Sequence, residues 1–139
     1  MKRSVSVIAI GGLIFLLGCP SVENADVEHS NVCIDLSPDG ERLVFSSADG
    51  DLYLFDIAES IATRLTETDR MESYPSFSPD GKQIAFAATE TDTAPSRIFV
   101  LNLDDRSISP VTDGNDQSDI LPRFTADGKR IVFARAYQH

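Results

Sequence analysis

Tryptophan is missing from this sequence altogether, and histidine and cysteine occur only twice each. Metal, redox and thiol chemistry therefore start from a poor inventory. Neither His29 nor His139 stands beside a carboxylate and a nucleophile, and no Gly-x-Ser-x-Gly nucleophile turn is present. Cations are scarce as well. Twelve Lys and Arg against 22 Asp and Glu leave a net charge of −10, which repels phosphate backbones and argues against nucleic acid as a partner. Nor does any apolar run reach the ~20 residues that a membrane-spanning helix needs. What is present is ordinary globular material, 42% hydrophobic and 24% charged, in 139 residues that bound the chain to one domain or less.

The longest apolar stretch lies at the start. Lys2 and Arg3 precede a run of 13 residues, Val5 to Leu17, interrupted by Ser6, Gly11 and Gly12. Basic flank and run length suit the apolar segment of a secretory signal peptide. Leu16-Leu17-Gly18-Cys19 then resembles the lipobox of bacterial lipoproteins, in which the Cys is acylated and becomes the first mature residue. Small Gly18 leaves room for a peptidase to cut before Cys19. The alternatives are a plain signal peptide with an incidental Cys, or an uncleaved anchor. The expected division is a lipoprotein signal peptide over 1–18, a polar tether over 19–31 and a folded part over 32–139. The resemblance implies a palmitate-type anchor on Cys19 and an envelope location facing the periplasm or the exterior. Removing Lys2 and Arg3 with the leader turns −10 into −12. Cys33, between Val32 and Ile34, reads as a buried, unreactive thiol with no basic neighbour to lower its pKa.

The rest is a repeat. Ser37-Pro38-Asp39-Gly40, Ser78-Pro79-Asp80-Gly81 and Thr125-Ala126-Asp127-Gly128 recur 41 and 47 residues apart, each followed by an apolar strand pattern. Most of the length difference falls in the Thr89–Ser96 loop, so the core segments keep register. In this turn Pro presets φ, Asp can bond a nearby backbone N–H and Gly takes the left-handed conformation. Asp39, Gly40, Asp80, Gly81, Asp127 and Gly128 are accordingly turn formers, not metal ligands or catalytic acids.

Each copy divides into four short strands: Cys33–Ser37, Arg42–Ser47, Asp51–Ile57 and Ala62–Thr66 in the first, Pro75–Ser78, Gln83–Ala88, Arg97–Leu103 and Ser107–Thr112 in the second. The third copy supplies Leu121–Thr125 and Arg130–Arg135. In the second strands, Leu43 and Phe45 oppose Val44, Ile84 and Phe86 oppose Ala85 and Ala87, and Ile131 and Phe133 oppose Val132 and Ala134. Neither face is polar, so sheets must stack, the bulky face of one against the small face of the next. Pro110 and Arg64 place the fourth strand at an outer edge. Four-stranded sheets stacked at this period predict an all-β fold, a partial β-propeller of about two and a half antiparallel blades.

Pro75-Ser76-Phe77-Ser78-Pro79-Asp80-Gly81-Lys82-Gln83-Ile84-Ala85-Phe86, with Ile98 to Leu103 and Val111-Thr112-Asp113, resembles the WD-like repeat of TolB-type β-propellers. The resemblance covers about Val32 to Arg135 and implies a non-catalytic binding scaffold. Such blades also occur in the propellers of prolyl oligopeptidase-like peptidases. Full TolB proteins carry an α/β domain ahead of the propeller, for which Pro20 to Asn31 is too short, and they are soluble in the periplasm. Two and a half blades do not close a ring, so a shortened or split reading frame, assembly from several chains and an open partial propeller are all consistent with the count.

In this family an acid three residues before the strand-opening Pro recurs. Asp119 before Pro122 fits, Glu72 before Pro75 nearly so, and Asn31 before Ile34 departs on both counts. Asn31, Glu72 and Asp119 are therefore candidates for contacts at the channel mouth or between blades. Three roles follow: an envelope lipoprotein binding a protein or glycan, an accessory propeller of a larger peptidase or lyase, and a remnant without independent function. Neither cofactor nor metal nor catalytic residue is expected.

Overall fold

The computed structural model describes residues 7–10, 13–16, 33–91, 93–113 and 117–136. The chain divides into two units, Met1–Ser30 and Asn31–His139. In the first unit β1 (Val7–Ile10) and β2 (Leu13–Leu16) pair antiparallel, with Gly11 and Gly12 between them in sequence. More than half of the expected leader lies outside the described residues, as does the whole expected tether from Cys19 to Asn31.

The second unit is all-β among the described residues. Its first sheet runs β3 (Ile34–Leu36), β4 (Arg42–Ser46), β5 (Leu52–Asp56) and β6 (Ile61–Arg64) in that order. The second repeats the order with β7 (Met71–Phe77), β8 (Gln83–Thr89), β9 (Arg97–Asn102) and β10 (Ile108–Pro110). The third holds β11 (Ser118–Phe124) and β12 (Ile131–Ala136). All neighbours are antiparallel. These are two four-stranded propeller blades and half of a third, with the fourth strands at sheet edges as Pro110 and Arg64 require.

The blades stack as the alternation dictates. Val44, Leu52 and Leu65 of blade 1 form one core cluster with Phe77, Ile84, Phe86, Phe99 and Leu101 of blade 2. The small face of blade 1 thus receives the bulky face of blade 2. At ~1.5–3 kcal/mol for each fully buried side chain, this cluster is the main stabilising feature of the pair. On the opposite face of blade 2, Ala85 and Ala87 are fully buried, and β11 packs across β7, β8 and β9.

Two boundaries differ from expectation. Blades 2 and 3 do not begin at Pro75 and Leu121 but at Met71 and Ser118. Each first strand carries a bulge, where the register shifts between Ser73 and Ser76 and between Ile120 and Arg123. Tyr74 (φ 53°) and Leu121 (φ 56°) occupy the left-handed region there, each just before a fully buried proline. Proline has no N–H to give a ladder, so within these first strands it sits where the ladder is interrupted. The fourth strands also stop early, at Arg64 and Pro110, because a side chain replaces the backbone acceptor beyond them. The Thr66 and Thr112 hydroxyls accept from the N–H groups of Leu52 (2.9 Å) and Ile98 (3.0 Å).

Candidate functional site

The three Asp-Gly motifs are turns in the structure. The Gly40, Gly81 and Gly128 N–H groups donate to the carbonyls of Ser37 (2.9 Å), Ser78 (2.9 Å) and Thr125 (2.8 Å). Each Asp carboxylate accepts from the hydroxyl at the turn start, at 2.5 Å for Ser37–Asp39, 2.6 Å for Ser78–Asp80 and 2.5 Å for Thr125–Asp127. It also accepts from the backbone N–H two residues on. The hydroxyl bond comes first in holding all three carboxyls below the usual carboxylate range. The glycines are needed for φ of 68–77°. A methyl on Gly81 would also stand 3.5 Å from the Pro38 ring of the preceding turn, and one on Gly128 3.8 Å from Pro79. Successive turns therefore touch, and these acids are committed to structure.

The junction of blades 1 and 2 is built around a buried carboxylate. Glu72 lies inside β7 with 4% of its surface exposed, anchored by its N–H to the Gly50 carbonyl (2.8 Å). Thr66 donates its hydroxyl to Glu72 Oε2, and Thr68 donates to Oε1 at 2.9 Å. Nearby Asp51, 1% exposed, accepts from Arg64 Nε (3.0 Å) and from the Thr68 N–H (3.2 Å). Burial pushes the Glu72 carboxyl above its ordinary range; the threonine hydroxyls pull it back, and the Asp51 charge adds to the rise. Beside this junction an open depression of about 500 Å³ is lined by Glu67, Thr68, Asp69, Arg70 and Glu90.

The junction of blades 2 and 3 uses the same frame with a different filling. Asp119 lies in β11, also 4% exposed, its N–H on the Ser96 carbonyl (2.9 Å). Arg135, directly opposite on β12, grips it with two bonds, Nε to Oδ1 at 2.6 Å and Nη2 to Oδ2 at 3.0 Å. That bidentate pairing, the first cause, holds the Asp119 carboxyl below the usual range, and a bond from Thr112 adds to it.

Glu72 and Asp119 are thus strand residues hydrogen-bonded between blades rather than loop residues, each at its own junction. Asn31 and Cys19 lie outside the described residues, and Cys33 is half-buried rather than fully enclosed. Sequence reasoning missed Asp51, Thr68 and Arg135 as members of these networks. It also missed Asp35, which accepts from the Phe77 N–H at 2.8 Å across the first junction. The recurrence of Thr66 and Thr112 at the end of their blades was the available signal. Among the described residues no three His, Cys, Asp or Glu side chains are grouped to hold a metal ion.

Stacked four-stranded blades, a repeated inter-blade turn contact and an acid–threonine lock at each junction define a β-propeller segment. The TolB β-propeller domain family matches residues 21–139, and the chain belongs to that family. A Tol-Pal system protein TolB of Francisella tularensis subsp. mediasiatica is 37% identical over 79 residues, 55% of this chain and 18% of the relative. The chain therefore spans under a fifth of that relative's length. A proposed TolB from Agrobacterium tumefaciens superposes with a TM-score of 0.67 at 26% identity, over 79% of this chain and 40% of that one. The tricorn protease shares the fold at 20% identity and a TM-score of 0.62, over 78% of this chain and 11% of its own.

Proposed function

We propose that this chain is a lipid-anchored envelope protein whose TolB-like blades form a binding scaffold for a protein or glycan and carry no catalysis. The observation behind the binding reading is where the acids lie. The turn and junction carboxylates are bonded internally, whereas Glu67, Asp69 and Glu90 line an open depression beside the first junction together with Arg70. Glu67 and Glu90 are held only by exposed ion pairs, to Arg64 (3.4 Å) and Arg97 (3.6 Å). That surface suits a partner rich in cationic or hydrogen-bond-donating groups. The anchor reading rests on Lys2-Arg3, the apolar run and Leu16-Leu17-Gly18-Cys19. With several acyl chains on Cys19, membrane attachment is firm, since each buried CH₂ contributes ~0.8 kcal/mol. In this reading 1–18 is the leader, 19–31 the tether and 32–139 the blades.

Two experiments test it. Labelled palmitate should enter the wild-type protein and not Cys19→Ser, which should leave the membrane fraction; full retention of the variant refutes the anchor. A photo-crosslinker at Asp69 should give a discrete adduct in cells, suppressed by Glu67→Lys with Glu90→Lys, while one at Glu59 should not. Equal labelling at both positions refutes the binding face. The fold shared with the tricorn protease favours a second reading, an accessory propeller of a larger enzyme. An in-frame hydrolase segment beyond the His139 codon would establish that instead.

A further inference from the structure

A groove of about 310 Å³ lies between the second and third Asp-Gly turns, lined by Ser78, Asp80 and Gln83 on one side and by Asp127 and Gly128 on the other. Between the first and second turns the corresponding space is filled by Arg42. Its Nη2 donates to the Gly81 carbonyl (3.4 Å) and lies 3.9 Å from Asp39 Oδ2. Its guanidinium carbon stands 5.9 Å from the centre of the Phe77 ring. Arg42 opens β4, whereas the residue that opens β8 is Gln83. A glutamine side chain is neutral and ends two atoms short of the guanidinium nitrogens of an arginine.

The other members of the first arrangement are all present at the second. The Gly128 carbonyl stands for that of Gly81, and among the described residues it accepts no hydrogen bond. Asp80 stands for Asp39. Its bonds from the Ser78 hydroxyl (2.6 Å) and the Lys82 N–H (3.1 Å) both fall on Oδ1, as the corresponding bonds do in Asp39, whose Oδ2 faces Arg42. Phe124 stands for Phe77, and the cation–ring contacts among the described residues involve Phe77, Phe99 and Phe133 but not Phe124. Lys82 neighbours Asp80 in the turn without lining the groove. The atoms nearest a methyl on Gly81 belong to Pro38 and Arg42, so successive turns alone make this arrangement.

We propose that the groove between the second and third turns is a binding site for a guanidinium group, supplied by an exposed arginine of a polypeptide partner. The group takes the place that Arg42 has at the first pair of turns. Its N–H groups meet the Gly128 carbonyl, its charge lies beside Asp80 and its flat face turns to Phe124. An arginine within a polypeptide matches the occupant of the first position, whereas free arginine would bring a carboxylate to a chain of net charge −10. This groove follows the end of β7 and the Glu67–Glu90 depression precedes its start, so the site is separate from that face.

The test follows backbone amide NMR shifts of the full chain as Nα-acetyl-arginine methylamide is added. The Lys129 N–H, which shares a peptide group with the Gly128 carbonyl, should shift saturably. The citrulline analogue, similar in shape but uncharged, should bind about tenfold more weakly. Free arginine should also bind more weakly than the blocked amide, and the reverse order would overturn the polypeptide source. Gln83→Arg should supply the guanidinium from within: the Lys129 N–H should move without the probe and binding should be abolished, with circular dichroism unchanged. Arg42→Gln should empty the first position and add a saturable shift at the Lys82 N–H. A Lys129 signal that the probe leaves in place, equal binding of the citrulline analogue, or undiminished binding to Gln83→Arg would overturn the proposal. So would a folded Arg42→Gln protein in which no shift appears at Lys82.

Discussion

The two blade junctions share a backbone frame and differ in the sign of their electrostatics. In both, the N–H of an acid on the incoming strand bonds a carbonyl ahead of the third strand, and a threonine after the fourth strand closes the lock. At the first junction the acid is Glu72, held by hydroxyls with the Asp51 carboxylate nearby. At the second it is Asp119, held by a guanidinium. Asp51 sits where the second junction has Arg97, and Arg64 where it has Pro110, so the first junction spends its cation on Asp51 rather than on Glu72. The same geometry thus raises one carboxyl and lowers the other. A repeat can keep its hydrogen-bond skeleton while each interface sets its own pH response.

The largest contrast should come from the cores. Phe86→Ala should cost about 3–5 kcal/mol in urea unfolding, because the ring is fully buried in the first junction's cluster. Phe133→Ala, at the same position of the half blade, should cost about 1 kcal/mol or less. Equal costs would break the distinction between a closed and an open blade. Next, Arg135→Met should lower stability by about 1–3 kcal/mol, since Asp119 stays buried without its charged donor.

Glu72→Gln should matter least near neutrality, within about 1 kcal/mol of wild type, because it removes a desolvated charge and keeps an acceptor for Thr66. Its signature is the pH profile. The native Glu72 carboxyl lies above the ordinary 4.5, so its contribution to stability is full below that value and is lost as pH rises through the raised native pKa. Asp119 has the opposite sign: its contribution is full above the ordinary 3.8 and is lost as pH falls through the lowered native pKa. Stability of wild type relative to Glu72→Gln should fall across the first window, and relative to Asp119→Asn should rise across the second.

Much of the fold was legible because its determinants are local. Ser-Pro-Asp-Gly fixes a hairpin within six residues, and Ile84 and Phe86 against Ala85 and Ala87 fix the stacking through strand alternation. The strand starts at Met71 and Ser118 were hidden because prolines at 75 and 122 read as breaks, while the bulges that accommodate them depend on left-handed Tyr74 and Leu121. Glu72 and Asp119 were visible as equivalent positions, but their chemistry was not. Arg135 lies 16 residues from Asp119, and Asp51 lies 17 from the Thr68 N–H it accepts, contacts that only the folded register creates.

The most direct test is a carboxyl-carbon NMR titration of native wild-type protein, with Glu72→Gln and Asp119→Asn providing assignments. Glu72 should titrate with a midpoint above 4.5 and Asp119 with one below 3.8. Midpoints displaced in the same direction would contradict the claim that one repeated frame carries two oppositely tuned junctions.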